Sequence, residues 1–264
     1  MRQGVRAVRA AAVELWLPIL MIVLVWVATA RSSSFYFPPL QQVAQTFQQM
    51  WLFDRIGSDA APSVRNFLVG LVIATVIGIG AGLVLALRES LYDAALPVFE
   101  FMRSVPGIVL VPVFLVLIGV GDGMKVAVIA YGAIWPILLG TIDGVRSLDP
   151  LVRDMMRSYH IPIHHRLLRV ILPGASPQIL AGARISVALG VVLIIASEYV
   201  ASTHGIGYVQ LHAERTFAIP EMWSALILLG ILGYTSNIAF RGIERYLLRW
   251  YHGLRTAGQG GSAS

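Results

Sequence analysis

The chain has 264 residues, 57% of them hydrophobic and 13% charged, and a mean hydropathy of +0.74. Soluble domains carry about 25% charged residues, so one soluble core cannot bury this apolar surplus and the chain reads as an integral membrane protein. The net charge of +6 and pI near 10.0 fit loop arginines facing a cytoplasm rather than nucleic acid, and the lack of cysteine excludes disulfides, thiolate metal sites and cysteine nucleophiles.

A basic leader at 1–13, with Arg2, Arg6 and Arg9, precedes the first apolar run at 14–31. That run is long enough to span and has no convincing small-residue cleavage site, so it reads as a retained span and not as a signal peptide. Further spans are predicted at 64–87, 105–120, 124–142, 180–201 and 222–248, all within a transmembrane domain at 14–250. The fold class is therefore an all-α polytopic membrane protein with six transmembrane helices. Between the first two spans, Val43, Phe47 and Trp51 recur at four-residue spacing. They predict a short amphipathic helix, either lying at the outer interface or packed on the bundle. Span two carries Ala74, Gly78 and Gly82, a ladder of small residues that lets helices approach closely. Span three carries Pro106 and Pro112, a kink that neighbouring helices can tolerate. Gly119, Gly121 and Gly123 predict a flexible turn on the outer side, and residues 251–264 a disordered tail.

An even number of spans puts both termini on one side. The loops on that side hold fourteen arginines, and the opposite loops hold only Arg31, Arg55, Lys125 and Arg215. The excess of positive charge places both termini in the cytoplasm.

The segment from Asp154 to Arg184 is polar, basic and punctuated by prolines. Asp149-Pro150 reads as an N-cap followed by proline at the first helical position. One short helix is predicted to run to about His160. Ile161-Pro162 breaks it, and a second runs from about Ile163 to Leu172 and ends before Pro173. Two roles fit such a segment: a basic interfacial loop touching anionic headgroups, or a Met-containing face seated in a groove on a partner protein.

The acidic-x-x triplet Asp154-Met155-Met156, the turn at His160, Ile171-Leu172-Pro173 and the Gly182-x-Arg184 ending resemble the EAA loop of ABC importer permeases. Met102 to Pro106, Asp143 to Arg146 with Asp149-Pro150, and His204-Gly205-Ile206-Gly207-Tyr208 fit the same family in the same order. The nitrate, sulfonate and taurine branch is the most similar. Two departures stand out. Asp154-Met155-Met156 replaces Glu-Ala-Ala, and His160 replaces a glycine. Glycine there supplies a backbone angle that β-carbon residues disfavour, though His tolerates it better than most, so a slightly reshaped turn is expected.

The resemblance implies a type I ABC importer permease fold, with about 149–173 as a coupling loop docked on a separate ATPase. Asp154, Met155, Met156, Tyr159, His160, Ile161, Pro162 and His164 would form the coupling surface, and Gly205, Gly207 and Tyr208 an outer loop. It also implies a homodimer, two cytoplasmic ATP-binding subunits, a solute-binding protein outside, and lipid around the spans. The chain itself is expected to be no enzyme and to hold no cofactor, ATP and Mg belonging to the partner. A P-loop needs a lysine directly after glycine, and the sole lysine, Lys125, follows Met124. His160 and His164 do not read as a metal site, because Pro162 interrupts any helix between them and no carboxylate stands beside them.

Glu198 is a carboxylate near the outer end of span five. It is either a gate residue near the outer mouth or a group hydrogen-bonded to a neighbouring helix end. Ser104 and Ser197 are candidate cavity hydroxyls. The expected cargo is a small anion such as sulfonate, taurine or nitrate. Alternatives are a thiamine precursor, riboflavin or an aromatic acid carried by the same machinery. A secondary transporter and a non-transporting membrane anchor are the readings of a different class.

Overall fold

The computed structural model describes residues 16–17, 20–32 and 34–250, and of Arg157 the backbone alone. The predicted leader at 1–13 and tail at 251–264 lie outside those residues. Helices dominate because a segment in hydrocarbon must satisfy its backbone N–H and C=O groups within itself. In chain order they begin with α1 (Leu20–Thr29). Next come α2 (Leu40–Phe47), two π-helical turns at Gln48–Asp54 and Ile56–Ala60, and α3 (Ala61–Leu87). Then follow α4 (Glu89–Ser104), a 3-10 turn at Gly107–Leu110, α5 (Val111–Ile118) and α6 (Asp122–Arg146). The chain continues with α7 (Pro150–Ser158), α8 (Ile163–Arg166), a π-helical turn at Leu167–Ile171, α9 (Leu172–Val200), α10 (Ile206–Arg215) and α11 (Ile219–Leu247).

Among the described residues, four helical runs are long and apolar enough to cross a membrane: Ile56–Leu87, Asp122–Arg146, Ile163–Val200 and Ile219–Leu247. They overlie predicted spans two, four, five and six, with α1 on the described part of the first.

The third predicted span, residues 105–120, holds the 3-10 turn and α5, which leave α4 at 83°. Proline explains the break. Val105, held before Pro106, is extended at φ −81° and ψ 114°, and Pro112 stands in the first turn of α5.

The end of the second short helix also differs from expectation. Helix continues through Pro173, and residues 163–200 form one run. The π-helical turn allows this. Leu172 N–H donates to the carbonyl of Leu167 five residues back, and Pro173 falls in the first turn of α9, where a missing N–H does little harm.

The core is α6 between α3 and α9. Ala74, Gly78 and Gly82 are buried along α3 against α6. A β-carbon on Gly82 would meet Thr141 Cβ at 2.6 Å. On the other side, a β-carbon on Gly182 would run into the carbonyl oxygen of Pro136, so the glycine of the Gly182-x-Arg184 motif sets how closely α9 approaches α6. Arg184 itself pairs with Glu244 of α11. Around α2, the packed reading is the one realised. Val43 and Trp51 are buried, and the Trp51 indole donates to Ser224 Oγ at 2.9 Å.

Candidate functional site

The α7–α8 segment carries one end of the molecule. Asp149 caps α7 as predicted, its Oδ1 accepting from Leu151 N–H at 2.8 Å. The helix ends at Ser158, and in the turn that follows His160 takes a left-handed backbone at φ +47°. Ile161 N–H then bonds back to Met156 C=O at 3.3 Å, the six-to-one closure of a Schellman turn. Histidine thus supplies the angle that glycine would. Its ring adds a local tie, with Nδ1 3.0 Å from the Ser158 carbonyl.

The predicted coupling residues divide by exposure. Asp154, Met155, Tyr159, His160, Pro162 and His164 are exposed. Tyr159 at 74%, Leu151 at 65% and Ile163 at 59% give this surface an apolar patch. Met156 is not part of that face. It is buried against Val145, Ile171, Ala175 and Ile179, because one side of a helix lying on the bundle must face inward. Ile161 is half-buried in the same cluster. Arg153 fastens the segment to α6, donating to the carbonyls of Val145 and Arg146 at 2.7 and 2.8 Å. Arg146 lies over the Tyr92 ring at 3.7 Å, and no ion pair to Asp143 is formed.

The opposite end of the bundle holds a buried charge cluster. Glu198, 1% exposed, accepts from Ser63 Oγ at 2.5 Å and from Gly207 N–H at 2.8 Å. Lys125, fully buried, lies 3.9 Å from Glu198 and 3.7 Å from Asp122, and donates to the His204 carbonyl at 3.1 Å. Asp122 also accepts from Asn66 at 2.7 Å, pairs with Arg65, and lies 3.1 Å from His204 Nε2. Buried Asp59 accepts from Gly205 N–H at 2.9 Å. The glycines predicted as an outer loop now have a physical reason. Gly205 has φ +122°, and a β-carbon on it would land on the Glu198 carboxylate. Gly207 and Tyr208 lie not in a loop but in the first turn of α10, and Tyr208 stacks on His212.

Of the two readings of Glu198, these contacts match the group hydrogen-bonded to a neighbouring helix end, at Gly207 N–H. Glu198 joins α3, α6, α9 and the start of α10. Ser197 is buried and donates to its own helix at Ile194. Ser104 is exposed and bonds back to Glu100 C=O at 2.5 Å. Lys125, Asp122, Asp59, Ser63 and His204 were missed. Lys125 was read as a loop charge, and its only sequence signals are that it is a lone lysine and stands one helical turn after Asp122.

A cavity of about 700 Å³ opens between the α4–α5 elbow, α6 and α9. Its polar lining consists of Arg103, Tyr131, Trp135, Asp143 and Gln178, set in a largely apolar wall. Arg103 is paired to Glu100 at 2.7 Å, and Tyr131 donates to the Met102 carbonyl at 2.6 Å. Ser104, Ser197 and Glu198 do not line it.

Residues 74–253 match the family described as the binding-protein-dependent transport system inner membrane component. The bicarbonate transport system permease protein CmpB of Synechococcus elongatus is 31% identical over 71% of this chain and 68% of its own length. The nitrate import permease protein NrtB of a Synechocystis species is 28% identical over 81% of this chain and 82% of its own. The taurine transport system permease protein TauC of Escherichia coli is 26% identical over 88% and 87%. Among solved structures, a chain of the inward-facing MetNI methionine ABC transporter superposes with a TM-score of 0.63 at 21% identity, covering 75% of this chain and 97% of that one. The fold is thus that of a type I ABC importer permease.

Proposed function

The chain belongs to the family of binding-protein-dependent transport system inner membrane components, and from that premise we propose that it is the permease of an ATP-driven importer for a small anion such as a sulfonate, taurine or nitrate. Two copies form the solute path. Two ATP-binding subunits dock on the cytoplasmic side and hydrolyse ATP with Mg, and a solute-binding protein delivers cargo outside. Both termini face the cytoplasm, in keeping with the arginine-rich loops on that side.

One observation carries the docking assignment. The α7–α8 turn exposes Leu151, Met155, Tyr159 and Ile163 while Met156 anchors its back to the bundle. An apolar face held rigidly by its own core is what a partner groove needs. Tyr159→Asp and Asp154→Arg should each release the ATPase or uncouple hydrolysis from uptake, with the permease still inserted. Normal co-purification and ATP-driven uptake in both variants would refute the assignment. Uptake that needs ATP and a supplied ATPase also separates an importer from a secondary transporter or a passive anchor.

A second cargo class has one observation in its favour. Tyr131 and Trp135 give the cavity an aromatic wall, and its arginine is already paired. That lining suits a planar organic solute such as a thiamine precursor, riboflavin or an aromatic acid. Uptake assays with a sulfonate and an aromatic carboxylate in competition decide between the two.

A further inference from the structure

A second cavity, of about 580 Å³, lies between the α3–α4 junction and the α7–α8 segment. Three arginines reach it, Arg88 from the junction and Arg153 and Arg166 from the docking segment. No carboxylate lines it. Among the described residues, none of the three forms an ion pair. Arg153 spends donors on the Val145 and Arg146 carbonyls, and Arg166 donates to Ile161 C=O at 2.5 Å. Those bonds fix the guanidinium groups in place without neutralising them. Glu89, next in sequence to Arg88, Asp154, next to Arg153, and Asp149, which caps α7, are the nearby carboxylates by chain position, and none of them lines the cavity. The rest of the lining is apolar. Val84, Leu87 and Leu91 flank the arginines and are about half exposed.

We infer that this cavity binds the phosphate headgroup of an anionic phospholipid of the cytoplasmic leaflet. Three unneutralised guanidinium groups supply planar, charge-assisted donors for phosphate oxygens. Soluble phosphates share that chemistry. The apolar flank on α3 and α4 selects the lipid, because it offers a surface to acyl chains where a soluble anion has none. Basic pockets at the cytoplasmic ends of membrane helices bind such headgroups. The bound lipid bridges the α3–α4 junction to the docking segment. The leaflet rests on the orientation proposed above.

The test uses the full chain purified from membranes, stripped of lipid and titrated with phosphatidylglycerol or phosphatidylcholine under native mass spectrometry. One phosphatidylglycerol per chain should bind at least about tenfold more tightly than phosphatidylcholine, each arginine near a membrane surface contributing about 1 kcal/mol. Among the described residues the Arg88 side chain makes no hydrogen bond or ion pair, so Arg88→Gln should weaken phosphatidylglycerol about fivefold, leaving phosphatidylcholine and the melting temperature unchanged. Arg88→Gln combined with Arg166→Gln should weaken it further. Equal binding of the two lipids, or an unchanged Arg88→Gln, overturns the inference. Inorganic phosphate and glycerol 3-phosphate should fail to displace the lipid, and displacement at matched headgroup concentration would make this a soluble-anion site instead. The readout needs no ATP, cargo or uptake, so its failure and that of the importer assignment are separable.

Discussion

Lys125→Met asks whether the buried charge cluster is a structural joint or part of the solute path. Methionine keeps the apolar stem and most of the volume while removing the charge and three donors. The ammonium it deletes stands 3.7 Å from Asp122, 3.9 Å from Glu198 and 3.1 Å from the His204 carbonyl. At about 4 Å and an effective dielectric constant of about 20, one such pair gains roughly 4 kcal/mol before desolvation. Desolvation offsets much of that gain, so the intact cluster adds little net stability. Deleting one partner is a different matter, because Glu198 stays behind at 1% exposure. Breaking a buried pair in this way costs about 3–5 kcal/mol. At about 2–4 °C per kcal/mol for a chain of this size, the melting temperature should fall by about 6–20 °C. Thermal melting of the purified protein in detergent, read as loss of the monodisperse peak, measures the fall. Lys125→Met combined with Glu198→Gln should recover part of it, giving an interaction energy of at least about 1 kcal/mol. A Lys125→Met protein that melts within about 2 °C of the parent would refute the reasoning, taking the slope above. So would a Glu198→Gln protein that melts normally yet loses uptake, since that is the signature of a path residue.

Met156 is buried in α7 and Tyr159, just past its end, is exposed, so the two should fail differently. Met156→Ala should destabilise by about 2–5 kcal/mol through a core cavity, seen in melting, with coupling per folded molecule retained. Tyr159→Asp should leave melting alone and lose the ATPase. His160→Gly should change stability by less than about 1 kcal/mol, since relief of left-handed strain is offset by glycine's greater freedom when unfolded. His160→Val should lose about 1–3 kcal/mol, because a β-branched side chain tolerates φ +47° poorly. Gly205→Ala should sharply lower the folded yield from membranes, as its β-carbon collides with the Glu198 carboxylate and φ +122° disfavours any L side chain.

What sequence could show followed from periodicity and from local backbone chemistry. The apolar lengths of α3, α6, α9 and α11 stand out against any loop, and a capping aspartate before proline marks the start of α7 without tertiary information. The same local chemistry located the turn at His160. Two kinds of feature escaped. Helix α4 carries Glu89, Asp93, Glu100 and Arg103 among its apolar residues, so hydropathy passed over it and the following prolines looked like a kink in a crossing. The charge cluster is assembled from residues that reach across the chain, Ser63 to Glu198 and Asp122 to His204. Each alone resembles an interfacial polar residue, and only tertiary placement shows that they neutralise one another. Met156 was assigned to the docking face for a related reason. The family pattern marks a segment, while the split between its outward and inward faces depends on how the segment lies on α6 and α9.

The two ends of the molecule are mechanically one problem. Residues 163–200 run as a single helical stretch of 38 residues, roughly 57 Å at 1.5 Å per residue, more than the 40–45 Å or so of a bilayer with its headgroups. Its first turn belongs to the α7–α8 segment and its last holds Glu198. Along the way, the close approach at Gly182 locks it to α6, and Arg184 locks it to α11. A displacement imposed at α8 therefore has no loop in which to dissipate before it reaches the charge cluster at the far end. That cluster ties α9 to α3 and α6, so these helices must tilt together. The geometry favours rigid-body rocking of the bundle over local flexing. It also gives the flexible role to what lies outside the block: the 83° elbow between α4 and α5, which lines the aromatic cavity.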